Sequence, residues 1–112
     1  MIDLVKDTIE KDDIEELIIW LRKHQRLTKG ELTLEYEKKW SDYIGCKYAV
    51  FVNSGSSAIL LMVQTLLESG KLKKGDEVIV PAVSWATDVA PIMQLGLCPI
   101  LCDCNLENLS VD

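Results

Sequence analysis

Four stretches of this chain carry apolar residues at three- and four-residue spacings, and three short apolar runs lack that spacing. In 13-DIEELIIWLRKHQR-26, Leu17, Ile18, Trp20 and Leu21 gather at helical intervals. Asp13 precedes them as an N-cap with Glu16 three residues later, which predicts an amphipathic helix. A turn, 27-LTKG-30, follows. The segment 33-TLEYEKKWSDYIG-45 then places Tyr36, Trp40, Tyr43 and Ile44 on one stripe, with Thr33 as the expected cap and Gly45 as the stop. The texture changes near residue 46. The run 48-YAVFV-52 is β-branched and aromatic without alternation, as expected of a strand buried on both faces. The same signature returns in 78-VIVPA-82, after the turn 74-KGD-76, and in 99-PILCD-103, after Gly96. Helical stretches at about 56–69 and 86–95 separate these runs. Strand, helix, strand, helix, strand is the order of a parallel α/β sheet. Two parts are expected: a helical segment over 1–45, and the first three strands with their crossover helices over 46–112.

The second junction carries the chemistry. In 51-FVNSGSSAILLMVQ-64 an apolar run stops at Asn-Ser-Gly-Ser-Ser and restarts with helical periodicity. A parallel strand feeding a helix through small residues aims unpaired backbone N–H groups and the positive end of the helix dipole at one point. Gly55 permits close approach there, and the hydroxyls of Ser54, Ser56 and Ser57 add donors, so the turn suits a phosphate dianion. Serines and glycines also serve simply as caps and turns. No Walker-type lysine and no G-x-G-x-x-G accompanies the turn, which disfavours a nucleoside triphosphate or a dinucleotide. After the next strand, 83-VSWATD-88 puts Trp85 at the carboxyl edge of the sheet, where open α/β sheets bind ligands. Its indole is either a platform for a planar ring or a core residue under a helix.

Composition narrows the partners. The chain has 112 residues, 48% of them hydrophobic, enough to fill the core of a small domain. A formal charge of −6 with scattered Lys and Arg disfavours nucleic acid and anionic membrane. No apolar run reaches the roughly 20 residues of a membrane span, and MIDLVKDTIEKDD lacks the order of a signal peptide. A cytoplasmic protein is expected. Cys46, Cys98, Cys102 and Cys104 are then expected as free thiols. Cys98, Cys102 and Cys104 would share one strand face with Ile100, read as an ordinary buried apolar face. The alternative, a metal site, lacks paired C-x2-C spacing and a nearby histidine, so no metal is expected.

Together, 28-TKG-30, 35-EYEKKWSDYIG-45, 49-AVFVNSGSSA-58, 75-GDEVIVPAVSW-85, 95-LGLCPI-100 and 103-DCNLENLSVD-112 resemble, in order, the N-terminal part of the DegT/DnrJ/StrS sugar aminotransferases. The resemblance implies the aspartate aminotransferase fold (fold type I, a mostly parallel sheet with flanking helices), incomplete in this chain, and pyridoxal 5'-phosphate as cofactor. It implies that Ser56 and the backbone of Ser57, beside Gly55, hold the cofactor phosphate, that Trp85 stacks on the pyridine ring, and that Thr28 and Gly30 lie near the substrate. Asp76 and Asp103 match structural positions. Asp88 and Ala90 depart from the usual Thr and Asn; Asp88 as a helix cap would put Pro91 in the first turn, where a missing N–H is tolerated. The lysine that joins the cofactor and the acid that holds its ring nitrogen fall beyond the position of Asp112, so no catalytic residue is expected within this chain. The chain is expected to be the N-terminal portion of a longer enzyme, with strand 48–52 lacking neighbours that later strands supply.

The implied activity is transfer of an amino group from a glutamate-like donor to a keto nucleotide-sugar, by a homodimer, in surface-polysaccharide or secondary-metabolite biosynthesis. The alternatives are a nucleotide-sugar 3-dehydratase of the same family and a non-catalytic α/β module that binds a phosphorylated ligand.

Overall fold

A computed structural model of the chain describes residues 5–24, 26–108 and 110–111. It divides into two compact units, Met1–Phe51 and Val52–Asp112.

The first unit holds helices α1 (Lys11–Arg22) and α2 (Glu31–Ile44). α1 begins three residues earlier than its sequence predicts. Glu10 takes the cap position and its N–H donates to Asp13 Oδ2 at 2.8 Å. Asp13 thus serves at the third helical position rather than as the cap, because Asp12 and Asp13 both favour the positive end of the dipole. α2 also starts earlier than expected: Gly30 is its cap, and Thr33 lies inside the first turn. Its end falls at Gly45, whose φ of 78° is the left-handed conformation that glycine adopts without penalty. Along α2 the rings of Tyr36, Trp40 and Tyr43 contact in series, with centroids 6.2 and 5.8 Å apart. Ion pairs Lys38–Asp42 and Lys39–Glu35 line its outer surface. The Lys39 ammonium holds the Glu35 carboxyl below its ordinary value.

The second unit holds α3 (Gly55–Glu68), β1 (Glu77–Pro81), α4 (Ala86–Gln94) and β2 (Cys98–Cys102). The strands pair in parallel, with Glu77 opposite Cys98, Ile79 opposite Ile100 and Pro81 opposite Cys102. α4 packs on both strands and on α3. Val63 of α3, Val80 of β1, Ile92 of α4 and Leu97 form the buried core. α4 ends in a Schellman motif: Gly96 (φ 78°) donates to Met93 O at 3.1 Å, and Leu97 donates to Ile92 O at 2.9 Å. Ile92 and Leu97, the pair this motif brings together, are core residues, so helix termination and core packing reinforce each other. The Gly96 carbonyl then accepts the Gly75 N–H at 2.7 Å, directly ahead of the ladder. Asp76 closes the preceding turn, its Oδ2 accepting from the Lys73 N–H at 2.8 Å, as its structural reading expected.

Three expectations are corrected here. Residues 48–52 form no strand, because no chain segment among the described residues offers them a ladder. The face carrying Cys98, Ile100, Cys102 and Cys104 is not buried: Cys98 is exposed, Ile100 is 42% exposed, and Cys102 and Cys104 are half-buried. Opposite Ile100, Ile79 is 68% exposed, since the helices of this unit cover the Val80 side of the sheet. Finally, α4 begins at Ala86 with Trp85 at its cap, so Asp88 lies within the first turn and Pro91 lies in the second. Pro91 lacks the N–H that the Thr87 carbonyl would otherwise accept, which interrupts the helix ladder at that point.

Candidate phosphate-binding site

The serine turn opens α3 as its sequence predicts. Ser54 is the cap: its backbone is extended and its Oγ accepts the Ser57 N–H at 3.2 Å, while its carbonyl accepts the Ala58 N–H at 3.1 Å. The N–H groups of Gly55 and Ser56 have no acceptor among the described residues. Of the donors expected from the sequence, the Ser57 amide is therefore committed to the cap, and Gly55 supplies a free one in its place. Ser57 contributes its hydroxyl, which shares a 3.2 Å hydrogen bond with Ser54 Oγ. Gly55 and Ser56 are both exposed, and a Cβ added at Gly55 would meet nothing within 4 Å. Two unpaired N–H groups, an adjacent hydroxyl and the positive end of a 14-residue helix are the elements a phosphate dianion requires.

A pocket of about 210 Å³ adjoins this turn, lined by Ser56, Ser57 and Leu60 of α3 and by Thr87, Ala90, Pro91 and Gln94 of α4. The sequence reading did not single out Thr87 or Gln94. They stand at helical spacing with Ala90 and Pro91 in the stretch 86–95 read as helical, but that spacing alone did not mark which of its faces meets α3. Trp85 does not line this pocket. It is 70% exposed at the start of α4, so no helix among the described residues covers its indole. The preceding turn is fixed by Ser84 Oγ, which donates to Pro81 O at 2.9 Å.

Thr28 and Gly30 belong to the first unit. Thr28 Oγ1 accepts from Arg26 Nε at 2.7 Å, and both residues border a pocket of about 710 Å³ with Trp20, Arg26 and Thr33. Between them, Lys29 Nζ donates to Glu37 Oε1 at 2.9 Å, and the Phe51 N–H donates to the same oxygen at 2.8 Å. The Lys29 ammonium, with help from the Phe51 amide, holds the Glu37 carboxyl below its ordinary value. Sequence reading missed Glu37, since it looks like one more solvated charge on α2. No group of three or more His, Cys, Asp or Glu among the described residues is placed to hold a metal, and no helix among them is long and apolar enough to cross a membrane.

Known proteins resemble this chain in sequence and in structure. The model of the DegT/DnrJ/EryC1/StrS aminotransferase family matches residues 7–112. A GDP-4-keto-6-deoxy-D-mannose 3-dehydratase of Yersinia pseudotuberculosis is 47% identical over 87 residues, 76% of this chain and 22% of that protein. A 3-oxo-glucose-6-phosphate:glutamate aminotransferase of Bacillus subtilis is 31% identical over 107 residues, 93% of this chain and 23% of that protein. Among solved structures, GDP-4-keto-6-deoxy-D-mannose-3-dehydratase of E. coli with bound hydrated PLP superposes with a TM-score of 0.85 at 39% identity, covering 97% of this chain and 28% of that one. The chain thus spans about a fifth to a quarter of the length of the curated relatives it matches. The cofactor expected from the sequence is the one this structural neighbour holds, and the fold is that of such enzymes.

Proposed function

Since this chain belongs to the DegT/DnrJ/EryC1/StrS aminotransferase family, we propose that it supplies the phosphate-binding turn and a ring-facing indole of a pyridoxal-phosphate enzyme acting on a keto nucleotide-sugar. The observation that carries this reading is the pair of N–H groups at Gly55 and Ser56, without an acceptor among the described residues and on exposed residues at the start of α3. When bound, pyridoxal phosphate supplies an electron sink for proton removal beside a carbon–nitrogen bond. The chain's own residues bind and orient. The Gly55 and Ser56 amides and the Ser56 hydroxyl hold the phosphate against the α3 dipole, and the Trp85 indole covers a face of the ring. A phosphate fixed at one end and a ring fixed on one face leave the reacting bond a single orientation, which is the positioning contribution to catalysis.

The reaction we assign is replacement of the sugar 3-hydroxyl by hydrogen, a 3-dehydratase reaction in which the oxygen leaves as water and a glutamate-like amino donor supplies the two electrons. The sequence alone put transamination first. The order is reversed because identity is 47% to the Yersinia dehydratase against 31% to the Bacillus aminotransferase. Transamination from a glutamate-like donor is the second reading, favoured by the aminotransferase's match across 107 residues. The enzyme would act as a cytoplasmic homodimer. Mass spectrometry of the product formed by the full-length protein from GDP-4-keto-6-deoxymannose, with pyridoxal phosphate and glutamate supplied, tests the assignment. Loss of the 3-oxygen supports dehydration, retention of that oxygen with gain of nitrogen supports transamination, and no change in the sugar refutes both. Binding comes first: pyridoxal phosphate should shift the Gly55 and Ser56 amide resonances, and their failure to move at saturating cofactor would refute the phosphate assignment.

A further inference from the structure

The pocket of about 210 Å³ beside the serine turn is bordered by the first turns of two helices: Ser56 and Ser57 of α3, and Thr87 of α4. The two helices pack on each other within the second unit, which brings these turns together. Leu60, Ala90 and Pro91 form the apolar wall, and Gln94 stands at the far end of α4. The two helix starts differ in one respect. Ser54 caps α3, whereas Trp85 offers α4 no side-chain acceptor, so no opening amide of α4 is committed to a side-chain cap. Of that turn, Thr87 lines the pocket and Asp88 does not. The polar side chains on the pocket are therefore three hydroxyls and one carboxamide, with no carboxylate. Carbonyls of a helix point toward its C-terminus, so the Thr87 carbonyl, deprived of its partner at Pro91, does not oppose an anion held at the first turn. Hydroxyls gathered at the positive ends of two helices favour an anion over a cation.

We propose that Thr87 is a further cofactor-phosphate residue: its hydroxyl donates, across the pocket between α3 and α4, to the phosphate that Gly55 and Ser56 hold. This role rests on the phosphate assignment of the serine turn. A phosphate presents three strongly accepting oxygens, more capacity than two amides and one hydroxyl use, so a donor from a second helix completes the set. Thr87 is exposed, and a surface threonine in a first turn otherwise serves only as a solvated polar residue. The ligand separates the two roles. A hydroxyl that meets only water is indifferent to whether the cofactor carries a phosphate, whereas a phosphate donor sets the preference for pyridoxal 5'-phosphate over pyridoxal.

The test titrates the full-length protein and its variants with pyridoxal 5'-phosphate, with pyridoxal, and with inorganic phosphate as competitor, each followed by tryptophan fluorescence. Thr87→Val keeps the side-chain shape and discards the hydroxyl; Thr87→Ser keeps the hydroxyl and discards the methyl. A hydrogen bond to a charged group is strong enough to change affinity about tenfold. Thr87→Val should therefore weaken pyridoxal 5'-phosphate and inorganic phosphate about tenfold and leave pyridoxal unchanged. Thr87→Ser should stay within about threefold of the parent for all three. The assignment is overturned if Thr87→Val binds pyridoxal 5'-phosphate within about threefold of the parent. It is equally overturned if pyridoxal weakens as much, which marks a general disturbance of the site, or if Thr87→Ser is as weak as Thr87→Val. Should Thr87→Val not fold, Thr87→Ala takes its place in the same comparison. Ser56→Ala separates this role from the assignment beneath it. A phosphate-selective loss in Ser56→Ala without one in Thr87→Val removes Thr87 and keeps the serine turn, whereas a parent that binds pyridoxal as tightly as its phosphate ends both.

Discussion

Ser54 and Ser56 stand two residues apart in one turn, yet the structure gives them separable tasks. Ser54 Oγ accepts the Ser57 N–H at 3.2 Å, so Ser54→Ala removes the side-chain acceptor at the start of α3. Losing such a cap costs about 1 kcal/mol, within a range of roughly 0.5–2. For a unit of this size that lowers Tm by about 4–8 °C per kcal/mol. The same change releases the Ser57 amide, which then joins those of Gly55 and Ser56 as a third free donor. Phosphate affinity should consequently fall by less than about threefold, because a donor gained offsets some of the order lost. Ser56→Ala does the converse. Its hydroxyl has no partner among the described residues, so stability should change by no more than about 0.5 kcal/mol. A hydrogen bond to a charged phosphate is worth about 1.5–3 kcal/mol, so pyridoxal phosphate should bind tenfold or more weaker. Thermal melts followed by circular dichroism, with fluorescence titration of the cofactor, read both quantities on both variants. The reasoning is refuted if Ser54→Ala melts with the parent, or if Ser56→Ala loses stability while keeping its affinity.

Ile92 is 3% exposed at the centre of the core, so Ile92→Ala should destabilise the second unit by roughly 2–5 kcal/mol in urea unfolding, with an unchanged midpoint contradicting the core assignment. Pro91→Ala restores the N–H for the Thr87 carbonyl, worth about 3 kcal/mol in a helix interior, and sacrifices about two buried methylenes at roughly 0.8 kcal/mol each; net stabilisation by about 1 kcal/mol is expected, and a lower Tm would refute it. Glu37 has its carboxyl held below the ordinary 4.5 by Lys29 and the Phe51 amide. Its contribution to stability is therefore fully present above that value and lost as pH falls through the lowered folded-state value. An acid titration of Glu37→Gln should lack this part of the parent's decline below pH 4.5, and superimposable acid limbs would show that the pairing does not form.

What could be read from the chain depended on how local each signal was. The Asn-Ser-Gly-Ser-Ser turn, the Gly45 and Gly96 stops and the two strands around α4 all follow from contacts within a few residues, and these were legible. The caps of α1, α2 and α4 were each misplaced by three residues, since Glu10, Gly30 and Trp85 are weak cap residues and stronger ones stood nearby. The apolar run 48–52 reads as a strand, but a strand exists only with a partner, and none is described for it. The cysteine face misled for the same reason: alternation predicts which residues share a side, and only neighbouring elements decide whether that side is covered. Glu37 was illegible because its importance lies with Phe51, fourteen positions away.

The close of α4 carries one more consequence. Leu97 is at once the sixth-residue donor of the helix stop and the residue before β2, so the length of the helix dictates the phase of the strand. One residue inserted ahead of Gly96 would either unthread that stop or rotate the strand by half a period, exchanging the sheet faces of Ile100 and Leu101. The loop between them works as a fixed gauge: any added length parts Ile92 from Leu97, and length variation in this part of the chain should be found before Ala86 or beyond Cys102.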